Sequence, residues 1–397
     1  MITPLMPTYA RLPLAFDHAK GMYMFDTDGK KYLDFYSGIG VMAVGHCHPH
    51  VVDALCDQAN KLWHTANTYQ IPLGEKLAER ILAHCNADTV FFTNSGAESI
   101  ECAIKMVRKY HHHKGNPGKY RMITMATAFH GRTLAGIAAA GQEKMITGFE
   151  PVPKGFDLVP FNDLDAVRAA ITPETGAIMV EPVQGEGGIR PIPVETLREL
   201  RKICDENDLL LVFDEIQCGM GRTGKLFAYQ WADVDADIIA SAKGIGGGFP
   251  LGACFATENA ASGMVVGTHG STYGGNPLAM AVGNAVMDIL LEDGFMDHVQ
   301  KMGDMLGARL AGLQQRFPEL ISEVRGKGLM RGLRLPDVAT KPATVDLLNR
   351  GLVTAVAGDM VVRMLPPLIL TEDHIDEAIT IWEAALTDWR DNGAPTA

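Results

Sequence analysis

Short apolar segments alternate with amphipathic stretches through the middle of the chain, and this alternation constrains the fold more than any other feature. The apolar runs are TVFFT from Thr89, RMITMA from Arg121, GAIMVE from Gly176, LLLVFDE from Leu209 and DIIAS from Asp237. Stretches such as AESIECAIKMVRKYH and TLRELRKICDEND lie between them, with apolar residues at helical spacing. Strands that are apolar along their whole length are buried on both faces. We therefore expect an α/β fold with a large, mainly parallel sheet covered by helices.

The length of the chain and a change of pattern near its end predict more than one domain. The 397 residues exceed the usual size of one domain, which is about 100 to 200 residues. A long helical segment near residue 300 is followed by ISEVRGKGLMRGLRL, MVVRMLPPLIL and a final amphipathic helix. We expect a large domain over residues 51–300, a smaller α/β domain over residues 301–397, and an N-terminal segment, residues 1–50, that packs with the small domain.

Charge and cysteine content narrow the range of partners. The chain has 35 Lys and Arg residues against 47 Asp and Glu residues, a net charge of -12, which argues against nucleic acid or an anionic membrane as partner. Its seven scattered cysteines form no Cys-x-x-Cys pair and favour a reducing compartment. We find no signal-peptide pattern and no apolar run long enough to span a membrane. A cytoplasmic protein that binds small molecules is expected.

Three polar positions follow ends of predicted strands, where an open α/β sheet binds its ligand. The turn at Ser95 in TNSGAES opens a helix, so it forms either a phosphate site or an ordinary N-cap. Asp214 ends a strongly apolar strand and is either a buried acid that meets a cationic ligand or half of a structural ion pair. Lys243 ends another strand before a glycine-rich run, and is either a reactive amine or a surface lysine.

Together these three positions supply the parts that hold pyridoxal 5′-phosphate. Phosphate anchors one end of that cofactor, Asp214 pairs with the protonated pyridine nitrogen, and Lys243 bonds to the aldehyde. The glycines of GIGGG after Lys243 are expected to leave room for the flat ring and for movement of the lysine.

Other motifs point to different chemistry and are weaker. GMGRTG from Gly219 matches the glycine spacing of a dinucleotide fingerprint, but DEIQC separates it from the preceding strand. An NAD-dependent oxidoreductase is the alternative that this motif leaves open. The histidines of HHHKG and GHCHPH lack the acidic partners and the spacing of a zinc site, so we expect no metal.

The chain resembles the class III, fold type I aminotransferases over nearly its full length. The motifs that carry the resemblance occur in family order: TYARLPLAF, DGKKYLDFYSGIGVMAVGHCHPHVV, TNSGAES, AFHGRT, EPVQGEGG, FDEIQCGMGRTGKLFA, AKGIGGGFPLGA, GTHGSTYGGNPLA and VVRMLPPLIL. The acetylornithine aminotransferases are the most similar group. Succinylornithine, ornithine and 4-aminobutyrate aminotransferases of the same class stay open as alternatives, and so does a non-catalytic protein that binds pyridoxal phosphate.

The resemblance implies a role for particular residues of this sequence. Lys243 is the lysine that links to the cofactor and shuttles the proton, and Asp214 keeps the pyridine nitrogen protonated. Further cofactor contacts are implied for Ser95, Gly96 and Ala97 at the phosphate, Phe129 on the ring face, Gln217 near the ring hydroxyl, and Ser271 and Thr272 at the phosphate of the neighbouring subunit. The last two imply a homodimer with shared active sites.

The same resemblance implies how substrates bind. Arg132 holds a substrate carboxylate, Arg363 takes the α-carboxylate of glutamate, and Glu186 pairs with Arg363 when a δ-amino substrate is bound. Ile39 lies in the segment that lines the distal pocket, where an aliphatic side chain suits an acylated amine. The implied reaction moves the δ-amino group of N2-acetylornithine to 2-oxoglutarate, gives N-acetylglutamate 5-semialdehyde and glutamate, and belongs to arginine biosynthesis.

Overall fold

The computed structural model describes residues 4–396. Its strands, in chain order, are β1 (Phe16–Lys20), β2 (Tyr23–Asp26), β3 (Lys31–Asp34), β4 (Thr89–Thr93), β5 (Arg121–Met125), β6 (Phe156–Val159), β7 (Thr175–Val180), β8 (Val183–Gln184), β9 (Arg190–Pro191), β10 (Leu210–Asp214), β11 (Ile238–Ser241), β12 (Gly252–Ala256), β13 (Glu323–Lys327), β14 (Met330–Arg334), β15 (Leu352–Val353), β16 (Ala355–Ala357) and β17 (Val361–Met364). All five predicted strands form, as β4, β5, β7, β10 and β11.

Helices cover these strands. In chain order they are α1 (Ser37–Gly40), α2 (Pro49–Ala59), α3 (Pro72–Leu82), α4 (Gly96–His113), α5 (Leu134–Ala140), α6 (Glu143–Ile146), α7 (Leu164–Ala170), α8 (Val194–Asn207), α9 (Glu258–Ala261), α10 (Pro277–Leu290), α11 (Phe295–Arg316), α12 (Thr340–Asn349) and α13 (Glu372–Asn392). Two short 3-10 helices span Ala228–Trp231 and Lys243–Gly246. None of the helices within residues 4–396 has the length and apolar character needed to cross a membrane.

The central sheet has seven strands in the order β4-β12-β11-β10-β7-β5-β6. Strands β11, β10, β7, β5 and β6 run parallel to one another, whereas β12 is antiparallel to both β11 and β4. The sheet is therefore mainly parallel, as predicted. The reversal at β12 arises because the chain turns back directly after the glycine-rich run, without a crossover helix.

Helices pack on both faces of this sheet. In β10, Leu211 and Phe213 lie in one apolar cluster, together with Leu200 of α8. Their sequence neighbours Leu210 and Val212 lie in a second cluster, together with residues of α4. Since alternate side chains of a strand point to opposite faces, the two clusters are the two faces of the sheet. All five residues of β10 are buried, which explains its uninterrupted apolar sequence.

Two smaller sheets lie outside the central one. The antiparallel sheet β13-β14-β17-β16 carries Arg363 on β17, and the sheet β1-β2-β3-β15 joins the two ends of the chain. In the second sheet Leu33 of β3 pairs in parallel with Leu352 of β15. This pairing supports our proposed division into residues 1–50, 51–300 and 301–397, with the first segment packed on the last. Residues 1–3 and Ala397 of that division lie outside the described residues.

Candidate active site

A cavity of about 460 Å³ opens at the strand ends of the central sheet. Its wall contains nine of the predicted site residues: Ser95, Gly96, Ala97, Phe129, Arg132, Glu186, Asp214, Gln217 and Lys243. These residues come from separate parts of the sequence and meet because parallel strands end at the same edge of a sheet. The cavity is thus the candidate active site.

The N-terminus of α4 forms one side of the cavity. Ser95 is the N-cap residue, and its Oγ accepts a hydrogen bond from the Glu98 backbone N–H at 3.3 Å. The N–H groups of Gly96 and Ala97 belong to the first helical turn, where the helix itself offers no acceptor. Ser95 is therefore an N-cap, and the same turn also presents free donors to the cavity. Such a helix end favours a bound phosphate.

Lys243 lies in the wall of the cavity and not on the outer surface. It is the second residue after β11 and has a left-handed backbone, with φ of 50°. Burial disfavours the ammonium form, and the nearby charge of Arg363 adds to this effect. Together they lower the pKa of Lys243 to about 8, against the opposing charges of Glu186, Asp214 and Glu181. The neutral, nucleophilic amine of Lys243 is therefore far more populated near neutral pH than that of an ordinary lysine, although the ammonium form still predominates.

Two of the glycines after Lys243 are required by the packing around them, and not by the expected space for the cofactor ring and the lysine. Among them, only Gly248 belongs to the cavity wall. A Cβ at Gly244 would lie 2.9 Å from Met220 Cβ, and one at Gly247 would lie 2.7 Å from Val286 Cγ2. Gly247 also has a φ of 52°, which a side chain disfavours. Close packing beneath Lys243, more than space for the lysine to move, requires these two glycines.

Asp214 is held in a buried network at the end of β10. Its Oδ2 lies 2.8 Å from Nδ1 of His130, and its Oδ1 accepts the backbone N–H of Ile216 at 3.1 Å. Burial disfavours the imidazolium of His130, but the hydrogen bond and the charge of Asp214 outweigh that effect and raise the pKa of His130. The partner of Asp214 within the protein is therefore a histidine, while Asp214 itself still faces the cavity.

Glu181 is a cavity residue that sequence reasoning missed. It follows the last residue of β7, and its two oxygens accept backbone N–H groups of Phe129 at 2.9 Å and Gly185 at 3.0 Å. Burial, together with the charge of Asp214, raises the pKa of Glu181 to about 7. The signal was present, because Glu181 ends an apolar strand just as Asp214 does. His130 carried no comparable signal, since its position beside Asp214 depends on the fold.

Arg363 reaches the cavity residues from the small sheet. It is 2 % exposed, and its Nη1 donates to Glu186 Oε1 at 2.5 Å and to Gln217 Oε1 at 3.0 Å. Burial disfavours the carboxylate of Glu186, but the charge and hydrogen bond of Arg363 hold the pKa of Glu186 below its usual value. The structure therefore brings together Arg363 and Glu186, as the resemblance implied, and adds Gln217 to the pair.

Arg132 lies at the cavity wall with an exposed side chain. Its guanidinium carbon is 5.5 Å from the centroid of the Phe129 ring. Within residues 4–396 it has neither an ion pair nor a hydrogen bond. An arginine with free donors at the rim of a cavity is suited to bind a carboxylate.

Three predicted residues lie outside the cavity wall of the single chain. Ser271 Oγ accepts the backbone N–H of Gly274 at 2.9 Å and lies 3.3 Å from Nδ2 of the cavity residue Asn94. Thr272 follows it in the same loop, and neither residue lines the cavity. Ile39 has a φ of 72°, is 37 % exposed and does not line the cavity either. Their roles in cofactor and substrate binding stay predictions, and those of Ser271 and Thr272 need a second subunit.

The alternative chemistries find little support in the geometry. GMGRTG forms consecutive turns that no α-helix follows, and Arg222 within it donates to the carbonyls of Leu329 and Pro366. This is not the strand-turn-helix geometry that binds a dinucleotide. In the part of the chain that the structure describes, no group of three or more His, Cys, Asp or Glu side chains is placed to hold a metal ion.

The residues of the cavity fit pyridoxal 5′-phosphate. The first turn of α4 offers N–H donors for a phosphate, Asp214 offers a carboxylate for a protonated ring nitrogen, and Lys243 offers an amine for an aldehyde. All three groups line one cavity. Phe129 lines it as well and offers an aromatic ring against which the cofactor ring can stack.

Comparison with known proteins places the chain among aminotransferases. The family described as Aminotransferase class-III matches residues 6–386. The acetylornithine aminotransferase of Mesorhizobium japonicum is 55% identical over 375 residues, which cover 94% of each chain. The family match includes all residues of the cavity described above.

Solved structures agree with the sequence comparison. The N-acetylornithine aminotransferase of Stenotrophomonas maltophilia has a TM-score of 0.84 and 36% identity, over 97% of this chain and 98% of that one. An ornithine aminotransferase structure from Toxoplasma gondii, with partial occupancy of pyridoxal phosphate, has a TM-score of 0.92 and 29% identity, over 98% and 93% of the two chains. A family match of this extent, with the fold and the cavity in place, leads to one conclusion: the chain belongs to the class III aminotransferases.

Proposed function

We propose that this chain is an acetylornithine aminotransferase, which moves the δ-amino group of N2-acetylornithine to 2-oxoglutarate in arginine biosynthesis. Relatives that carry this name are 45% to 55% identical over most of the chain. The observation that carries the proposal is the arrangement of arginines: Arg363 is paired with Glu186, whereas Arg132 is free at the cavity wall. One arginine that is already paired and one that is free suit two substrates of which one carries a single carboxylate and the other carries two.

The reaction depends on pyridoxal 5′-phosphate. When bound, this cofactor supplies an aldehyde that takes up the amino group and a ring that accepts the electron pair of the reacting carbon. We infer that its phosphate is held by Ser95, Gly96 and Ala97, and its ring by Phe129, Gln217 and Asp214. The carboxylate of Asp214, oriented by His130, favours the protonated ring nitrogen.

Lys243 has two tasks that its environment suits. Its lowered pKa of about 8 makes the neutral amine available as a nucleophile toward the cofactor aldehyde. The same amine can accept a proton from the reacting carbon of the substrate and return it, because its pKa lies near the operating pH. Its place in the cavity wall, where Lys243 is only partly exposed, limits competition from bulk water for that proton.

The two arginines divide the recognition of substrates between them. Acetylornithine has one carboxylate, far from the reacting amine, and Arg132 binds it. Glutamate has two carboxylates, so its far carboxylate uses Arg132 and its α-carboxylate uses Arg363 after Glu186 has moved away. In the first half-reaction Glu186 neutralises Arg363, so that no unpaired buried cation faces the apolar part of acetylornithine.

We further propose that the protein is a cytoplasmic homodimer. Ser271 lies 3.3 Å from Asn94, Thr272 follows it, and neither lines the cavity of its own subunit, which is consistent with a role at the active site of a second copy. The substrates are small molecules, and the net charge of -12 argues against nucleic acid or an anionic membrane as partner.

A panel of amino donors tests the proposed activity. The purified holoenzyme is supplied with 2-oxoglutarate and with acetylornithine, succinylornithine, ornithine or 4-aminobutyrate, and kcat/KM is measured for each donor. We expect acetylornithine to have the highest value. A clear preference for ornithine or 4-aminobutyrate would disprove the proposed substrate while leaving the family assignment intact.

A further inference from the structure

Gln217 has contacts that a residue dedicated to the cofactor does not need. Its side-chain oxygen accepts a hydrogen bond from Arg363 Nη1 at 3.0 Å, and the same Nη1 donates to Glu186 at 2.5 Å. A guanidinium group only donates hydrogen bonds, so the amide must turn its oxygen toward Arg363. Its NH2 group is then free to donate, and a hydrogen bond from Gln217 contributes to holding the pKa of Glu186 low. Gln217 thus contacts Arg363 directly and lies beside Glu186, the other member of the ion pair.

Arg363 has few other restraints. Within residues 4–396 its guanidinium donates only to Glu186 and Gln217, and its buried Nε has no hydrogen-bond partner. When Glu186 moves away, Gln217 is the single remaining hydrogen-bond acceptor that orients this buried cation. Without Gln217, the arginine would have to be ordered by the incoming substrate itself, which costs binding free energy.

The backbone on the opposite side is shaped to admit Gln217. A Cβ added at Gly185 would lie 2.2 Å from Gln217 Oε1, so any larger residue there would displace the amide. Gly185 is itself fixed, because its N–H donates to Glu181 at 3.0 Å. Gly185 is also the residue before Glu186. The same short segment therefore carries one contact of Arg363, Glu186, and leaves space for the other, Gln217.

We propose that Gln217 is a specificity-determining residue, which keeps Arg363 in position while Glu186 exchanges with the α-carboxylate of glutamate. The glutamate half-reaction depends on this contact, because Arg363 must then bind a carboxylate without Glu186. The acetylornithine half-reaction does not, because Glu186 continues to hold Arg363. The inference rests on the proposed function for the identity of the two substrates.

Two variants separate this role from a contact with the cofactor alone. Gln217→Met removes the amide group, and with it the hydrogen bond to Arg363, while the side chain keeps a similar volume. Gly185→Ala keeps the amide but places a methyl group where its oxygen lies, and this displacement involves only the end of a flexible side chain. Gly118→Ala is the matched control, because a Cβ there has nothing within 4 Å.

The measurement compares the two half-reactions of each holoenzyme in single turnovers, followed by the change in cofactor absorbance. In both variants we expect the rate constant with glutamate, divided by that with acetylornithine, to fall about three- to tenfold, the size of the net contribution of one typical hydrogen bond. Gly118→Ala should leave the ratio unchanged. An equal fall of both half-reactions in Gln217→Met would disprove the proposal, since a residue that serves only the cofactor affects both alike.

Binding of unreactive analogues gives a second readout that does not depend on turnover. Glutarate carries two carboxylates and N-acetyl-L-norvaline carries one. Calorimetry should show glutarate bound about three- to tenfold more weakly by both variants, with N-acetyl-L-norvaline affected less than about twofold. Wild-type affinity for glutarate in both variants would overturn the inference. If wild type failed to use acetylornithine, the proposed function would be wrong, but the glutarate result would still decide the role of Gln217.

Discussion

Asp214 Oδ2 and His130 Nδ1 lie 2.8 Å apart, and both side chains are buried at the edge of the central sheet. The pair is formed by a strand end and by the loop that carries Phe129, so the acid of the active site and the loop over the cavity are fixed relative to each other. Since His130 donates to one carboxylate oxygen and the Ile216 backbone N–H to the other, Asp214 has little freedom to rotate.

Asp214→Asn should slow the chemical step more than it weakens substrate binding. An amide can still accept from His130, but it cannot favour a protonated ring nitrogen as a carboxylate does. If that preference falls by two pKa units, the loss is about 2.7 kcal/mol, or about a hundredfold in rate. Single turnovers with acetylornithine measure the effect. An unchanged rate would mean that Asp214 is only a structural acid.

Lys243→Ala should abolish turnover, because both the bond to the cofactor and the proton transfer need this amine. The fold should persist, since the side chain lies in a cavity wall. Steady-state assays and thermal melting of the variant test the two statements. Lys61→Ala is a suitable control, because Lys61 is exposed and, within residues 4–396, its ion pair is with the exposed Asp57. Near-wild-type turnover of Lys243→Ala would refute the assignment.

Lys243 should also show its lowered pKa directly. In the cofactor-free protein the ammonium form predominates below pH 8 and is unreactive, and the amine predominates above it. The extent of acetylation of Lys243 by limiting acetic anhydride is mapped by mass spectrometry. It should rise with pH, with a midpoint at about pH 8, and reach a plateau at higher pH. Arg363→Met removes a positive charge and leaves Glu186 unpaired, so the midpoint should move to higher pH. A midpoint unaffected by that change would contradict the coupling between the two residues.

Gly247→Ala should destabilise the protein through a steric clash of the added methyl group as well as through backbone strain. A methyl group there meets Val286 at 2.7 Å, and the φ of 52° disfavours any side chain. We expect a loss of about 1 kcal/mol from the backbone and a further 1 to 3 kcal/mol from overpacking. Gly115→Ala provides the comparison, since its φ is 82° but nothing lies within 4 Å of the added Cβ. Equal falls in Tm for the two variants would show that packing beneath Lys243 is not tight.

The residues that sequence reasoning located without help are those at strand ends. Ser95, Asp214 and Lys243 each lie at or just after the end of an apolar strand, of which β10 and β11 are fully buried and the edge strand β4 is partly buried, so local pattern and position in the fold coincide. The contact between Glu186 and Arg363 joins residues 177 positions apart, and no local pattern predicts it. Only the resemblance to a family pointed to that pair. The antiparallel strand β12 was missed because it directly follows the glycine-rich run, where no helical crossover marks a new strand.

Glu186→Ala should shift the preference between the two substrates of the enzyme. Glu186 neutralises Arg363 while acetylornithine reacts and must move away when glutamate binds. Breaking the ion pair therefore weakens the binding of glutamate and not that of acetylornithine. Without Glu186, Arg363 is held by Gln217 and is permanently open to an α-carboxylate. Exposed ion pairs contribute up to about 1 kcal/mol, or about fivefold. This arginine is 2 % exposed, so we expect tenfold or more in the ratio of the glutamate to the acetylornithine half-reaction. Glu199→Ala, which removes a half-buried partner of Arg168, serves as the control for loss of a carboxylate outside the cavity. Following both half-reactions by cofactor absorbance decides the matter: a ratio that is unaltered, or that moves toward acetylornithine, would rule out Glu186 as the residue that switches Arg363 between substrates.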